Sequence, residues 1–290
     1  MGGAQPSETT AGKTTEELLM PVASASCWLF CPADRPERYQ RALETAEVVI
    51  IDLEDAVALE AKSRARRELI AVADQLDPDR VVVRVNRMGT SDGDADLSAL
   101  AATSLRTIML PKVESAGELD DVGDWDVVAL CESAEGVESI GEVAQAEACV
   151  ALTWGSQDLA LNLGAAATRD DHGSLLPFAE YARTRVRYAA AAAGIPAVDT
   201  VWVAIDDLDG LHAEARSASL AGFAAKMVIH PSHVEPVREA FRPTADQIEA
   251  ARRVLEAADT IGDGASALDG LMLDVPIVEQ ARAVLRRAGG

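Results

Sequence analysis

Short apolar runs alternate with longer amphipathic stretches along most of the chain. The clearest run is Val81-Val82-Val83-Arg84-Val85-Asn86. Val81, Val83 and Val85 share one face, and Val82, Arg84 and Asn86 share the other. Apolar side chains on both faces predict a strand buried on both sides, as in a parallel sheet. The same pattern predicts strands at residues 26–31, 48–53, 81–85, 107–110, 127–131, 149–154, 200–205 and 226–229. Helical periodicity predicts helices at 35–46, 61–75, 183–193 and 245–258.

Eight strand–helix units in a chain of this length predict an α/β fold, a (β/α)8 TIM barrel. The structural alternative is an open doubly wound sheet. That fold usually carries a glycine-rich phosphate loop after an early strand, and Cys31-Pro32-Ala33-Asp34-Arg35 has no glycine. Residues 1–22 are polar and predict a disordered tail, residues 23–240 the barrel, and residues 241–290 a C-terminal helical extension. The extension carries glycines at 262, 264 and 270 and the apolar run around Asp274, so it is expected to fold as a lid. The loop at residues 164–177 is long enough to predict an active-site flap.

The formal net charge of −22 argues against nucleic acid and anionic membranes as partners. It also makes each buried cation informative, because an acidic substrate would need one. Cys27, Cys31, Cys131 and Cys149 lie in apolar runs without a Cys-x-x-Cys spacing, the pattern of reduced core cysteines in a cytoplasmic protein. No apolar stretch reaches the length of a membrane span.

The candidate chemistry sits at the predicted strand ends, the face where barrel enzymes place their sites. Asp52 and Glu54, Arg84 and Asn86, Lys112, Glu132 and Ser133, Asp158, Asp206 and His230 all fall there. Arg84 needs an anion if it is buried. Glu132 and Asp158 end neighbouring strands, and two carboxylates with open positions suit Mg2+; both positions also suit helix caps. Asp52 and Glu54 share a face and would pair with Arg or Lys, while Asp55 would cap the next helix. Lys112 would serve as a charge partner for Asp52 or Glu54 rather than as a Schiff-base lysine. His230 fits a structural role through a backbone carbonyl.

The motifs Leu29-Phe30-Cys31-Pro32-Ala33-Asp34-Arg35-Pro36-Glu37-Arg38, Ile51-Asp52-Leu53-Glu54-Asp55-Ala56-Val57 and Leu110-Pro111-Lys112-Val113-Glu114-Ser115 follow one another in order. So do Glu132-Ser133-Ala134, Gly155-Ser156-Gln157-Asp158-Leu159, Gly222-Phe223-Ala224-Ala225-Lys226, Ile229-His230-Pro231 and Met272-Leu273-Asp274-Val275-Pro276. With them the chain resembles the citrate lyase β-subunit-like proteins of the HpcH/HpaI aldolase superfamily, including the malyl-CoA and citramalyl-CoA lyases. Ala33, Gln157 and Ala225 depart from the residues common in that family.

The resemblance implies a homotrimeric barrel that makes or breaks a carbon–carbon bond next to a CoA thioester. It implies Mg2+ held by Glu132 and Asp158, substrate bound there and by Arg84, and Asp274 acting with Arg84 in catalysis. The partners would be a CoA thioester such as citramalyl-CoA, malyl-CoA or 3-hydroxy-3-methylglutaryl-CoA, and a 2-oxo acid. Two other readings stay open: a citrate lyase subunit acting on citryl-acyl-carrier protein, and a metal-dependent aldolase that does without CoA. Asp274 also reads as the cap of the last helix, with Pro276 in its first turn.

Overall fold

Strands that are apolar on both faces need side chains packed inside the sheet and helices packed outside it. The computed structural model, which describes residues 25–261, 266–268 and 271–289, meets both needs. The predicted tail and the glycines at 262, 264 and 270 lie outside the described residues. Eight parallel strands run β1 (Cys27–Pro32), β2 (Val48–Asp52), β3 (Val81–Arg84), β4 (Thr107–Leu110), β5 (Asp126–Cys131), β6 (Cys149–Trp154), β7 (Val198–Asp199) and β8 (Ala225–Val228). Their order is β6-β5-β4-β3-β2-β1-β8-β7. A parallel bridge from Leu152 to Ala197 brings the two edges together, and the Leu152 N–H donates to the Pro196 carbonyl at 3.1 Å. The fold is a nearly closed (β/α)8 barrel.

Helices fill the connections: α1 (Tyr39–Thr45), α2 (Lys62–Val72), α3 (Ser91–Leu100), α4 (Gly117–Asp120), α5 (Ala134–Val143), α6 (Ser156–Asn162), α7 (Pro177–Ala193), α8 (Leu208–Leu220) and α9 (Val234–Phe241). Beyond the barrel come α10 (Ala245–Ile261), the antiparallel pair β9 (Ser266–Leu268) and β10 (Leu271–Leu273), and α11 (Val275–Arg287). No described helix is long and apolar enough to cross a membrane. The four cysteines are free and buried.

The strand period of two sorts the side chains. Trp28, Ile50, Val82, Val128, Leu130 and Met227 pack together inside the barrel. Leu29, Val49, Ile51, Val83 and Ala129 face the helices. Asp52, Arg84 and Glu132 each lie two residues beyond an inner-face residue, namely Ile50, Val82 and Leu130. The inner face therefore changes from apolar to charged at the strand ends, and this change creates the site.

The seventh strand differs from its predicted position. Val201, Val203 and Ile205 alternate as a strand would, yet β7 ends at Asp199, and Val203 and Ile205 are 54% and 44% exposed. Alternation here marks a chain crossing the barrel mouth. The loop at 164–177 is also not a flap over the barrel. An Arg169–Leu175 bridge folds it back on itself, and the Arg169 guanidinium lies 4.4 Å from the Trp202 ring while pairing with Glu214 of α8.

Candidate active site

A cavity of about 350 Å3 opens at the C-terminal ends of the strands. Asp52, Asp55, Arg84, Glu132 and Asp158 supply its charges, and Phe30, Leu130, Val201, Met227 and Ile229 supply its apolar wall. Of the residues expected in the site, Arg84, Glu132 and Asp158 come together here.

Arg84 is clamped. Its Nε and one Nη donate to Asp52 Oδ1 and Oδ2 at 2.8 and 2.6 Å, and its other Nη lies 3.0 Å from Glu54 Oε2. The guanidinium stacks 4.9 Å from the Phe30 ring centre. Burial pushes the Arg84 pKa down, but the bonds to Asp52 and the nearby acids outweigh it and hold it above the ordinary value. The bonds to Asp52 use two of the five guanidinium N–H groups, while the Glu54 contact is an ion pair. Asp52 in turn accepts from the Glu54 and Ala56 N–H groups at 2.9 and 3.0 Å. The helix cap expected of Asp55 is not made: Ala58 and Ala61 precede the next helical segments without a side-chain cap, and Asp52 instead ties the turn after β2. Asp55 itself is exposed, 3.7 Å from Arg84.

Glu132 is 3% exposed. It does not cap α5, because Ser133 does so by accepting from the Gly136 N–H at 3.1 Å. That frees Glu132 to face the cavity. Its Oε1 accepts from the Lys112 backbone N–H at 3.2 Å. Burial first, and the Asp158 charge second, push its carboxyl up to about 8. Gly155, the residue before α6, leaves the space that the Glu132 carboxylate occupies.

Asp158 stands in the first turn of α6 with its side chain 37% exposed. Lys112 lies 3.9 Å from it and pairs with Glu54, the charge-partner role expected of this lysine. Lys112 adopts φ 55, the only non-glycine residue with positive φ among the described residues. Such a conformation is uncommon outside glycine and clusters at functional sites. The turn lets the Lys112 N–H meet Glu132 while its ammonium meets Glu54.

The other candidates fall elsewhere. Asn86 is buried and donates to Asp96 Oδ2 at 2.6 Å. Asp206 is exposed beyond the true end of β7. His230 is exposed, and its Nδ1 accepts from the Ser232 N–H at 3.2 Å; it does not donate to a carbonyl. Asp274 is exposed and caps α11 by accepting from the Ile277 N–H at 3.2 Å. No described residue of the C-terminal extension lines the cavity of its own chain. Phe30, Thr200, Val201 and Met227 were not expected in the site. Their inward strand phase could have found Phe30 and Met227, while the misplaced seventh strand hid Thr200 and Val201.

The family model described as HpcH/HpaI aldolase/citrate lyase matches residues 27–231, all eight barrel strands and every cavity residue. The chain belongs to that family. A Mycobacterium tuberculosis citrate lyase subunit beta-like protein is 45% identical over 267 residues, covering 92% of this chain and 97% of that protein. The M. tuberculosis protein CitE in complex with magnesium, acetoacetate and coenzyme A is 44% identical, with a TM-score of 0.88 over 92% of this chain and 100% of that one. The same protein in complex with magnesium and pyruvate has a TM-score of 0.79 at 40% identity, covering 91% and 99%. Family membership makes this protein a lyase of the citrate lyase β-like kind.

The donor set fits a magnesium ion. A buried carboxylate with one N–H partner, destabilised further by a second carboxylate, is relieved by a shared divalent cation. Among the described residues no three His, Cys, Asp or Glu side chains form a fuller cage. Mg2+ is commonly held by one or two carboxylates, with water and substrate completing its shell.

Proposed function

We propose that this protein is an Mg2+-dependent carbon–carbon lyase that cleaves a 3-hydroxyacyl-CoA thioester into an acyl-CoA and an oxo acid, and that it can run the reverse condensation. Citramalyl-CoA, malyl-CoA and 3-hydroxy-3-methylglutaryl-CoA are the candidate substrates. The observation that carries the reading is the buried Glu132, pushed up to about 8, beside Asp158 and across one cavity from Arg84. The magnesium, coenzyme A and pyruvate named with the CitE structures support it.

Glu132 and Asp158 would hold the cation. When bound, Mg2+ supplies Lewis-acid polarisation of the oxygen that becomes the ketone. Arg84 would turn its remaining N–H groups toward the thioester oxygen, where negative charge collects as the carbon–carbon bond breaks. Its clamp to Asp52 and Glu54 pre-orients the guanidinium, so little reorganisation is needed. The apolar wall of Phe30, Leu130, Val201 and Met227 packs against the carbon skeleton and limits water near the enolate carbon.

Cleavage also needs a base for the substrate hydroxyl and an acid for that carbon. We assign both steps to Asp274 of a neighbouring chain in a homotrimer. The carboxylate takes the hydroxyl proton, the C–C electron pair moves to the thioester enolate, and the same proton returns to carbon. Asp274 is exposed and outside its own chain's cavity, so it is available to a neighbour.

The test is turnover of the three thioesters by the purified protein, with and without Mg2+. Cleavage that needs Mg2+ supports the reading. Turnover only of a citryl-acyl-carrier protein makes the chain a citrate lyase subunit instead. Cleavage of free hydroxy acids with no CoA requirement makes it an aldolase.

A further inference from the structure

A second group of charges lies on the outer face of the barrel, between β7, β8, α7 and α8. Lys226 and Asp199 are fully buried there, opposite each other in the β7–β8 register. Neither lines the cavity. Three cations serve two carboxylates. Arg183 pairs with Asp199 at 2.9 Å, Arg169 pairs with Glu214, and Lys226 reaches both acids, at 3.4 Å to Asp199 and 2.7 Å to Glu214. Each carboxylate already has an arginine, so Lys226 is one cation more than pairing requires. Burying an extra ammonium is unfavourable unless its hydrogen bonds are all met.

What Lys226 alone reaches is a carbonyl. Its Nζ donates to the Thr200 O at 2.6 Å. Thr200 lies just past the end of the two-residue β7, where ladder hydrogen bonds stop. The lysine side chain takes their place. From that anchored residue, Thr200 Oγ1 accepts from the Ser156 N–H at 3.4 Å. On the other side, Trp154 Nε1 donates to Asp199 Oδ1 at 3.0 Å. Trp154 and Ser156 flank Gly155, which makes room for Glu132, and Ser156 opens the helical turn that carries Asp158.

We propose that Lys226 is a positioning residue for the metal site: by fixing the Thr200 carbonyl it holds the Trp154–Asp158 segment, and so Asp158 and the space for Glu132, in register. This rests on the Mg2+ reading above. It does not make Lys226 a catalytic residue, since its side chain reaches the cavity-lining Thr200 from behind and does not itself line the cavity.

The test is Mg2+ binding to the substrate-free protein by calorimetry, read beside thermal stability. Lys226→Met keeps the apolar stem and leaves Arg183 on Asp199 and Arg169 on Glu214, so the fold should persist. It should weaken Mg2+ by about 10-fold or more, the scale for losing a group that orients a metal ligand. Thr200→Val removes only the hydroxyl acceptor. It should weaken Mg2+ by about three- to tenfold, the scale of one hydrogen bond, with little change in melting temperature. Arg169→Met loosens the far side of the same cluster. It should lower the melting temperature and leave Mg2+ affinity unchanged. Wild-type affinity in Thr200→Val overturns the proposal, as does wild-type affinity in Lys226→Met. An equal loss in Arg169→Met overturns it too, because the effect would then be general loosening. If the wild-type protein binds no Mg2+, the functional reading itself fails and takes this inference with it.

Discussion

A Cβ on Gly155 would overlap Oε2 of Glu132. The carboxylate sits in the space that a side chain at residue 155 would fill, so the backbone at one strand end sets the position of a carboxylate on the next.

Gly155→Ala is therefore expected to displace Glu132 rather than disturb the core. Calorimetry should find Mg2+ affinity lowered by about 100-fold, the upper scale for a disturbed ligand, while circular dichroism reports an unchanged fold. Retention of wild-type affinity would mean that Glu132 is not a ligand or that it moves without consequence.

Glu132 gives a pH signature. In the metal-free folded state its carboxyl is pushed from the ordinary value near 4.5 up to about 8. Between those values the folded chain holds a proton that the unfolded chain has released, so stability falls as pH rises through that window. Glu132→Gln removes this slope. Metal-free Glu132→Gln should melt higher than the wild type at about pH 8 and show little advantage at about pH 5, while losing Mg2+ binding. Below about pH 8, Mg2+ binding to the wild type should release protons. Equal melting temperatures at the higher pH would contradict the buried, uncompensated carboxylate.

Arg84→Lys should fail on two counts. Lysine cannot span both Asp52 oxygens and Glu54, so stability should drop by about 1–3 kcal/mol in chemical denaturation. It also lacks the planar fork aimed at the thioester oxygen, so kcat should fall by about 100-fold or more. A variant with normal kcat would reduce Arg84 to a structural ion pair.

Asp274→Asn separates cap from catalyst. Asparagine caps helices as well as aspartate does, so stability should hold while turnover drops by about 100-fold or more. Mixing Asp274→Asn chains with inactive Glu132→Gln chains should restore part of the activity, because some sites then combine Glu132 of the first chain with Asp274 of the second. No recovery on mixing would place the two residues in one chain.

Much of the barrel was legible because its strands are buried on both faces and read as unbroken apolar runs. Arg84 and Glu132 were legible for the related reason that a charged residue continuing an inner face must have a purpose. The capping reading of Glu132 fell to Ser133, whose hydroxyl takes that role. The seventh strand was misread because residues 200–205 alternate convincingly. Side chains from other elements hold this segment instead: Lys226 of the neighbouring strand bonds the Thr200 carbonyl and His233 bonds that of Ile205, contacts that local pattern cannot carry. For Asp274 the structure shows the cap of α11, one of the two readings the sequence offered; a residue offered to a neighbouring chain would share the same exposed position.

The most direct measurement is the release of pyruvate and acetyl-CoA from citramalyl-CoA by the purified protein, followed alongside malyl-CoA and 3-hydroxy-3-methylglutaryl-CoA. The account predicts that at least one of the three is cleaved at its carbon–carbon bond. Cleavage should stop on chelation and return with added Mg2+. Failure to turn over any of them in either direction, with Mg2+ bound and the fold intact, would contradict it.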